Sequence, residues 1–315
     1  MKRFSALLAL PLLLSACVTE ADIVGEAFGD VVLRTTSAVP SLPGLYGLEF
    51  EQAAGTQRAY ILYLPPGYDE TRPEPYETIF MFHGGGQSAL QFAGSPGMLK
   101  LHEHAEDDDR IVVFLQGRVG SSLTATGWWI TNPALRDDLG YTEELLDHLE
   151  TELNVDTDRV FAGGYSNGGR FVHELASELS DRFLAYAAVS GYYGNALTGS
   201  PSGPPAGTMV PFFIANTLTD STVPYGGSAG FPFYTPAQDA YDGWYSDDGC
   251  TLSTNTYNIT VASYDATACV SGTYRNILQF VSVDDVTTSS HHAWPTFGNS
   301  GYEATNGMVG FWDAQ

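Results

Sequence analysis

Val160-Phe161-Ala162-Gly163-Gly164-Tyr165-Ser166-Asn167-Gly168-Gly169-Arg170 is the stretch from which the fold of this chain can be read. An apolar strand runs into a turn of small residues with one serine at its tip. Phe171-Val172-His173-Glu174-Leu175-Ala176 follows at once with the pattern of a helix. The spacing Gly164-x-Ser166-x-Gly168 is that of a nucleophile elbow. A turn this tight has no room for bulk two residues before or after the serine, and it strains the serine so that its hydroxyl stands above the sheet. Gly226-Gly227-Ser228-Ala229-Gly230 fits the same spacing, but no strand leads into it and Phe231-Pro232-Phe233 cannot open a regular helix. Ser228 therefore reads as a loop serine, and Ser166 as the candidate nucleophile of an acyl transfer.

Working outward, the segments around the elbow alternate between short apolar runs and helical repeats. Arg58 to Leu64 alternates like a strand and is stopped by Pro65-Pro66-Gly67. Thr78-Ile79-Phe80-Met81-Phe82, Ile111 to Leu115, Ala185 to Val189 and Val210 to Ala215 are uninterrupted apolar runs, as strands buried on both faces require. Leu99 to Glu106 and Tyr141 to Leu153 have helical spacing, and Thr235 to Tyr245 is expected to be helical. Asn255 to Val261 and Tyr274 to Val283 read as the last strands. The alternation implies one α/β domain with a mostly parallel sheet covered by helices on both faces.

A serine hydroxyl attacks an ester only if a base takes its proton, an acid orients the base, and donors meet the oxyanion. In the α/β-hydrolase arrangement, which such an elbow implies, the chain order is serine, acid, histidine. His83, His102, His104 and His148 precede Ser166, and His173 rides away on the following helix, where a surface position is expected. His291 and His292 remain, in a loop after the final strand. Asp220 is the first carboxylate beyond the strand Val210 to Ala215, with Asp284 and Asp285 as alternatives. The oxyanion donors are expected from the backbone N–H of Asn167 and from the run His83-Gly84-Gly85-Gly86, Gly85 above all, since glycine lets the main chain approach closely. Trp128 and Trp129, with Tyr192 and Tyr193, are candidates to line an acyl pocket. His102-Glu103-His104 lacks the His-Glu-x-x-His spacing of a metal site and fits a polar helix face, so no metal and no cofactor is expected.

The first residues form a targeting segment. Lys2 and Arg3 precede an apolar run from Phe4 to Leu14, too short to span a bilayer, and Leu14-Ser15-Ala16-Cys17 is similar to a bacterial lipobox. The expectation is a signal peptide over residues 1–17 with Cys17 lipidated, a tether over 18–43, and a catalytic domain over 44–315. Such a chain would be exported and held at the cell envelope by lipid alone. Of three cysteines, Cys250 and Cys269 are then left as an even pair in an oxidising compartment. A bridge between them would contribute about 3 kcal/mol. The formal net charge of -24 over 315 residues, with Lys100 the only lysine after Lys2, argues against nucleic acid or anionic lipid as partner.

With these residues assembled, the chain resembles the poly(3-hydroxybutyrate) depolymerase and feruloyl esterase group of α/β-hydrolases over roughly residues 44 to 300. The resemblance rests on His83-Gly84-Gly85-Gly86-Gln87-Ser88, Val155-Asp156-x-Asp158-Arg159-Val160, Gly164-Tyr165-Ser166-Asn167-Gly168-Gly169, Asp220-x-x-Val223-Pro224-Tyr225-Gly226-Gly227 and His292-Ala293-Trp294-Pro295. It implies His292 as the base, Asp220 as the acid and a disulfide between Cys250 and Cys269. His83, Gly84, Gln87, Tyr165 and Trp294, within those motifs, join Trp128 and Trp129 as expected substrate-binding residues. A Gly-Gly-Gly run normally precedes the histidine in this group, and here Thr288-Ser289-Ser290-His291 replaces it. The implied protein is a serine esterase acting on hydroxycinnamoyl or related aromatic esters, or on hydroxyalkanoate oligomers, and a monomer is expected. The competing expectation is a surface-anchored binding protein that keeps the fold without the chemistry.

Overall fold

The computed structural model describes residues 23–24, 32–35, 38–119, 126–128, 137–191, 210–228, 236–237, 239, 251–258, 261–267, 278–283, 291–296 and 302–315. In chain order the strands are β1 (Ile23–Val24), β2 (Val32–Thr35), β3 (Gly44–Glu51), β4 (Gln57–Leu64), β5 (Tyr76–Phe82), β6 (Ile111–Leu115), β7 (Arg118–Val119), β8 (Thr126–Gly127), β9 (Val155–Tyr165), β10 (Ala185–Val189), β11 (Phe212–Thr217), β12 (Thr251–Asn258), β13 (Val261–Thr267) and β14 (Leu278–Val283). The helices are α1 (Ala89–Ala93), α2 (Pro96–Asp107), α3 (Asp137–Glu152), α4 (Asn167–Glu178) and α5 (Ala304–Asp313).

The main sheet has the order β1-β2-β3-β4-β6-β5-β9-β10-β11-β14-β13-β12, and β7 and β8 form a separate hairpin. From β6 to β14 every neighbouring pair is parallel. β4 joins β6 antiparallel on one side, and β13 joins β14 antiparallel on the other. This is the parallel-centred α/β-hydrolase architecture expected from the elbow. Strand periodicity divides the core in two. Phe80, Phe82, Val113, Leu115 and Ala162 face α3 and α4, meeting Leu145, Leu149, Phe171 and Leu175. Ile79, Met81, Val112, Phe114 and Phe161 face the other way, meeting Met98 and Leu101 of α2 and Met308 and Trp312 of α5. The apolar runs are continuous because both faces of each strand are covered.

One ion pair sits inside this core. The Arg58 guanidinium on β4 is 2.5 Å from Oδ1 of Asp138 on α3, with side chains 1% and 0% exposed, and lies 4.0 Å over the Tyr141 ring. A lone buried charge here would be strongly unfavourable, so the pair fixes how α3 seats on β4.

Three expectations change. The strand expected over 255–261 is two strands: β12 ends at Asn258 and β13 starts at Val261, paired antiparallel. Ile259 and Thr260 between them are β-prone and offer no glycine or proline to mark a boundary. The tether expected over 18–43 contains β1 and β2, and β2 runs parallel to β3 at the sheet edge. Strand β3 and helix α5 were not anticipated. Cys17, Cys250, Cys269, Trp129, Tyr192, Tyr193 and most of the helix expected over 235–245 lie outside the described residues. Among the described residues no helix is long and apolar enough to cross a membrane.

Candidate active site

Strand β9 delivers Ser166 at the carboxyl edge of the sheet, and α4 starts at Asn167. Ser166 has φ 53 and ψ -115, a conformation that L residues rarely adopt. The turn closes only because its glycines lack side chains. A Cβ at Gly164 would stand 2.5 Å from the Gly168 backbone, and one at Gly168 would stand 2.1 Å from the Phe82 carbonyl oxygen. Gly191, beyond β10, is equally constrained: its Cβ would fall 2.1 Å from the Ser166 carbonyl oxygen.

Three side chains converge above this turn. Nε2 of His292 lies 2.9 Å from Oγ of Ser166, and Nδ1 lies 2.6 Å from Oδ2 of Asp220. A carboxylate only accepts, so the imidazole carries its proton on Nδ1 and leaves Nε2 to receive the serine proton. Asp220 is 6% exposed, and its Oδ1 accepts the backbone N–H groups of Thr222 and Val223, each at 2.8 Å. The carboxylate is thus anchored by one oxygen and offers the other. His291 points elsewhere, with Nδ1 3.1 Å from Oγ1 of Thr219.

The glycine run after β5 faces the elbow, since a Cβ at Gly85 would stand 3.6 Å from Cβ of Asn167. Several groups fix that run. His83 is fully buried; its Nδ1 lies 2.8 Å from the Gly84 carbonyl oxygen, and its Nε2 accepts the Gly117 N–H at 2.9 Å. Gln87 Oε1 accepts the Gly84 N–H at 2.9 Å. Ser88 and Gln91 then close a capping box that starts α1. The Asn167 carboxamide accepts the Trp128 N–H at 2.7 Å, while the Trp128 indole donates to the His83 carbonyl at 2.8 Å.

The residues of the expected substrate-binding set take part in these contacts. Trp128 is 4% exposed and stacks on Phe171. It braces the glycine run and Asn167 from within the core instead of lining a pocket. Trp294 is 8% exposed and donates to Oγ1 of Thr305 on α5. Its ring occupies the space above Gly97, where a Cβ would come within 2.4 Å. His83 and Gln87 brace the loop, Gly84 supplies its backbone, and Tyr165 packs on His292 with ring centroids 5.3 Å apart. The indoles resemble pocket-lining aromatics in sequence because core and pocket draw on the same residue types.

His173 is not on the surface as expected. Its ring is fully buried and stacks on Phe212, 4.6 Å between centroids, because α4 is covered along most of its girth. His102 packs edge-on against Tyr63 and tilted against Phe114, whereas His104 turns to Asn306. Among the described residues no three His, Cys, Asp or Glu side chains gather as a metal site would need.

Burial lowers the pKa of His83 to about 4 and that of His173 to about 3. Both are therefore neutral in the folded chain where unfolded histidine would be charged. Below about pH 6.5 the unfolded state takes up protons that the folded state refuses, so stability falls as pH falls towards 4, by roughly 1.4 kcal/mol per pH unit for each group. Urea unfolding midpoints at pH 7, 6 and 5 should decline in that order. A flat profile would contradict the neutral buried pair.

The sharp elbow after a central parallel strand, with Asp, His and Ser in contact above it, is an arrangement of the α/β-hydrolase fold. Comparison with known proteins agrees. No family model matches the chain. Feruloyl esterase B of Thermothelomyces thermophilus is 28% identical over 190 residues, 58% of this chain and 60% of that protein. The bifunctional acetylxylan esterase/xylanase of Neocallimastix patriciarum is 24% identical over 200 residues, 60% of this chain and 26% of that protein. The solved acetyl xylan esterase from Aspergillus awamori superposes with a TM-score of 0.57 at 13% identity, covering 82% of this chain and 94% of that one. The chain has the α/β-hydrolase fold and is similar in sequence to esterases, feruloyl esterases among them. It spans about half the length of the first curated relatives it matches.

Proposed function

We propose that the protein is a serine carboxylic ester hydrolase acting through an acyl-enzyme. The observation that carries this reading is the unbroken line of contacts from Asp220 through His292 to Ser166. Ser166 Oγ attacks the ester carbonyl carbon as Nε2 of His292 takes its proton, and Asp220 stabilises the resulting imidazolium. The backbone N–H groups of Gly85 and Asn167 receive the oxyanion. Collapse breaks the ester C–O bond, and His292 returns the proton to the departing alcohol. Water then repeats the sequence on the acyl-enzyme and releases the acid. No step requires a cofactor.

Feruloyl-type and related aromatic esters are the substrate class we favour, supported by the relatives' names; hydroxyalkanoate oligomers are the second member of the proposed range. We also propose that the enzyme is exported, monomeric and lipid-anchored at Cys17, and bridged between Cys250 and Cys269, on the sequence patterns given above. Initial rates on methyl ferulate, an acetylated xylo-oligosaccharide and a hydroxybutyrate oligomer test the substrate class. Methyl ferulate should give the highest kcat/KM, and a preference of ten-fold or so for either other ester would reassign it.

A further inference from the structure

We propose that a clasp of three side chains, Tyr165, Ser190 and Thr219, holds residues 291–293 in the pose that lets His292 reach Ser166 and Asp220 together. The inference rests on the reading of His292 as the base. Residues 291–296 contain no helix or strand, so no backbone ladder aims the imidazole. Instead, each of three consecutive residues is gripped by a side chain from the carboxyl end of a different strand. The Tyr165 hydroxyl, at the end of β9, donates to the His292 carbonyl at 3.0 Å. The Ser190 hydroxyl, just after β10, donates to the Ala293 carbonyl at 3.2 Å. Oγ1 of Thr219, two residues past β11, lies 3.1 Å from Nδ1 of His291.

Two of the residues involved are in the left-handed region that favours glycine: Ser190 at φ 50 and His291 at φ 53. Such residues persist only where their surroundings over-determine them. At Ser190 the over-determination is visible: it is 1% exposed, and its own N–H donates to the Ala215 carbonyl at 2.8 Å. Downstream, the loop is pinned separately to α5, because the Ala304 N–H donates to the Pro295 carbonyl at 3.0 Å and Trp294 bonds Thr305. The clasp therefore governs the upstream part, where the imidazole is.

Tyr165 has a second role in this arrangement. Its ring edge fills the space beside Gly84, where a Cβ would meet it at 2.9 Å, while its face lies on the His292 ring. Burial raises the Tyr165 phenol pKa far above its ordinary value, so the hydroxyl remains a donor at any working pH. One side chain thus sets the base loop and the glycine run against each other. None of the three acts on substrate: they are positioning residues, and their loss should appear in turnover and not in binding.

The test uses Tyr165→Phe, Ser190→Ala and Thr219→Val, singly and together, in the full chain, with His292→Ala alongside. Each single variant should lower kcat about 5-fold, as loss of one net hydrogen bond would, with KM changed less than about two-fold. The triple variant should lose more than 100-fold or so, and its downfield Nδ1–H proton resonance, sharp in the wild type, should broaden as the imidazole leaves Asp220. Melting temperatures and circular dichroism report on the fold; if the triple variant does not fold, the single variants decide. Wild-type kcat with a sharp resonance in all variants overturns the clasp, as does a fall in kcat matched by a rise in KM. Undiminished turnover by His292→Ala would instead overturn the reading on which the clasp rests.

Discussion

Ser166→Ala is expected to lower turnover of a soluble p-nitrophenyl ester by about 10⁵-fold or more while the protein remains folded. The two halves of this expectation have separate causes. Alanine keeps the Cβ that the turn already accommodates, and α4 still starts at Asn167, so global stability should shift by no more than about 0.5 kcal/mol. The reaction, however, loses the atom that forms the acyl bond, the one that Nε2 of His292 faces at 2.9 Å. Residual rate would come from the oxyanion donors and from binding. Retention of a tenth of the wild-type rate, measured on protein whose melting curve matches the wild type, would remove Ser166 from the mechanism.

Asp220→Asn should reduce kcat by about 10⁴-fold with little change in stability. The reason lies in how the carboxylate is anchored. Oδ1 accepts two backbone N–H groups, from Thr222 and Val223, so an asparagine must place its oxygen there. Its NH₂ then faces Nδ1 of His292, which has to become an acceptor. The imidazole proton moves to Nε2 and points at Ser166, where it cannot receive the serine proton. The geometry would be intact and the tautomer wrong. Asp220→Ala should lose stability as well, because the buried Val223 N–H would be left without an acceptor. Near-normal kcat in Asp220→Asn would show that the orientation of His292 does not depend on this residue.

Much of this site was legible because its chemistry is tied to small residues at fixed spacing. Gly164 and Gly168 announce the elbow, since each position excludes a Cβ for a reason that sequence alone can state, and the glycine run at Gly84 to Gly86 announces the facing loop. Chain order then reduced seven histidines to a neighbouring pair. What remained hidden depends on tertiary contact. His173 read as a surface residue of its helix, yet it is buried because α4 is enclosed by the sheet and its loops. Trp128 read as a pocket wall and is a brace, since an indole in a core and an indole in a pocket look alike in sequence. Ser190 and Thr219 offered no signal: a hydroxyl after a strand is common, and only the position of the base loop gives these two a task. The break between β12 and β13 was missed because Ile259 and Thr260 are β-prone residues and the run there has no glycine or proline.

The left-handed residues near the site also bear on how this protein could be improved. Someone seeking a more heat-resistant variant by relieving backbone strain would begin with Ser190 and His291, where glycine removes a cost of about 1 kcal/mol. At Ser190 that change deletes the hydroxyl holding Ala293, and at His291 it deletes the ring that meets Thr219. Robustness and speed would then draw on the same two residues in opposite directions. Asp109, at φ 55 and remote from the triad by chain position and contacts, offers the same relief outside that conflict.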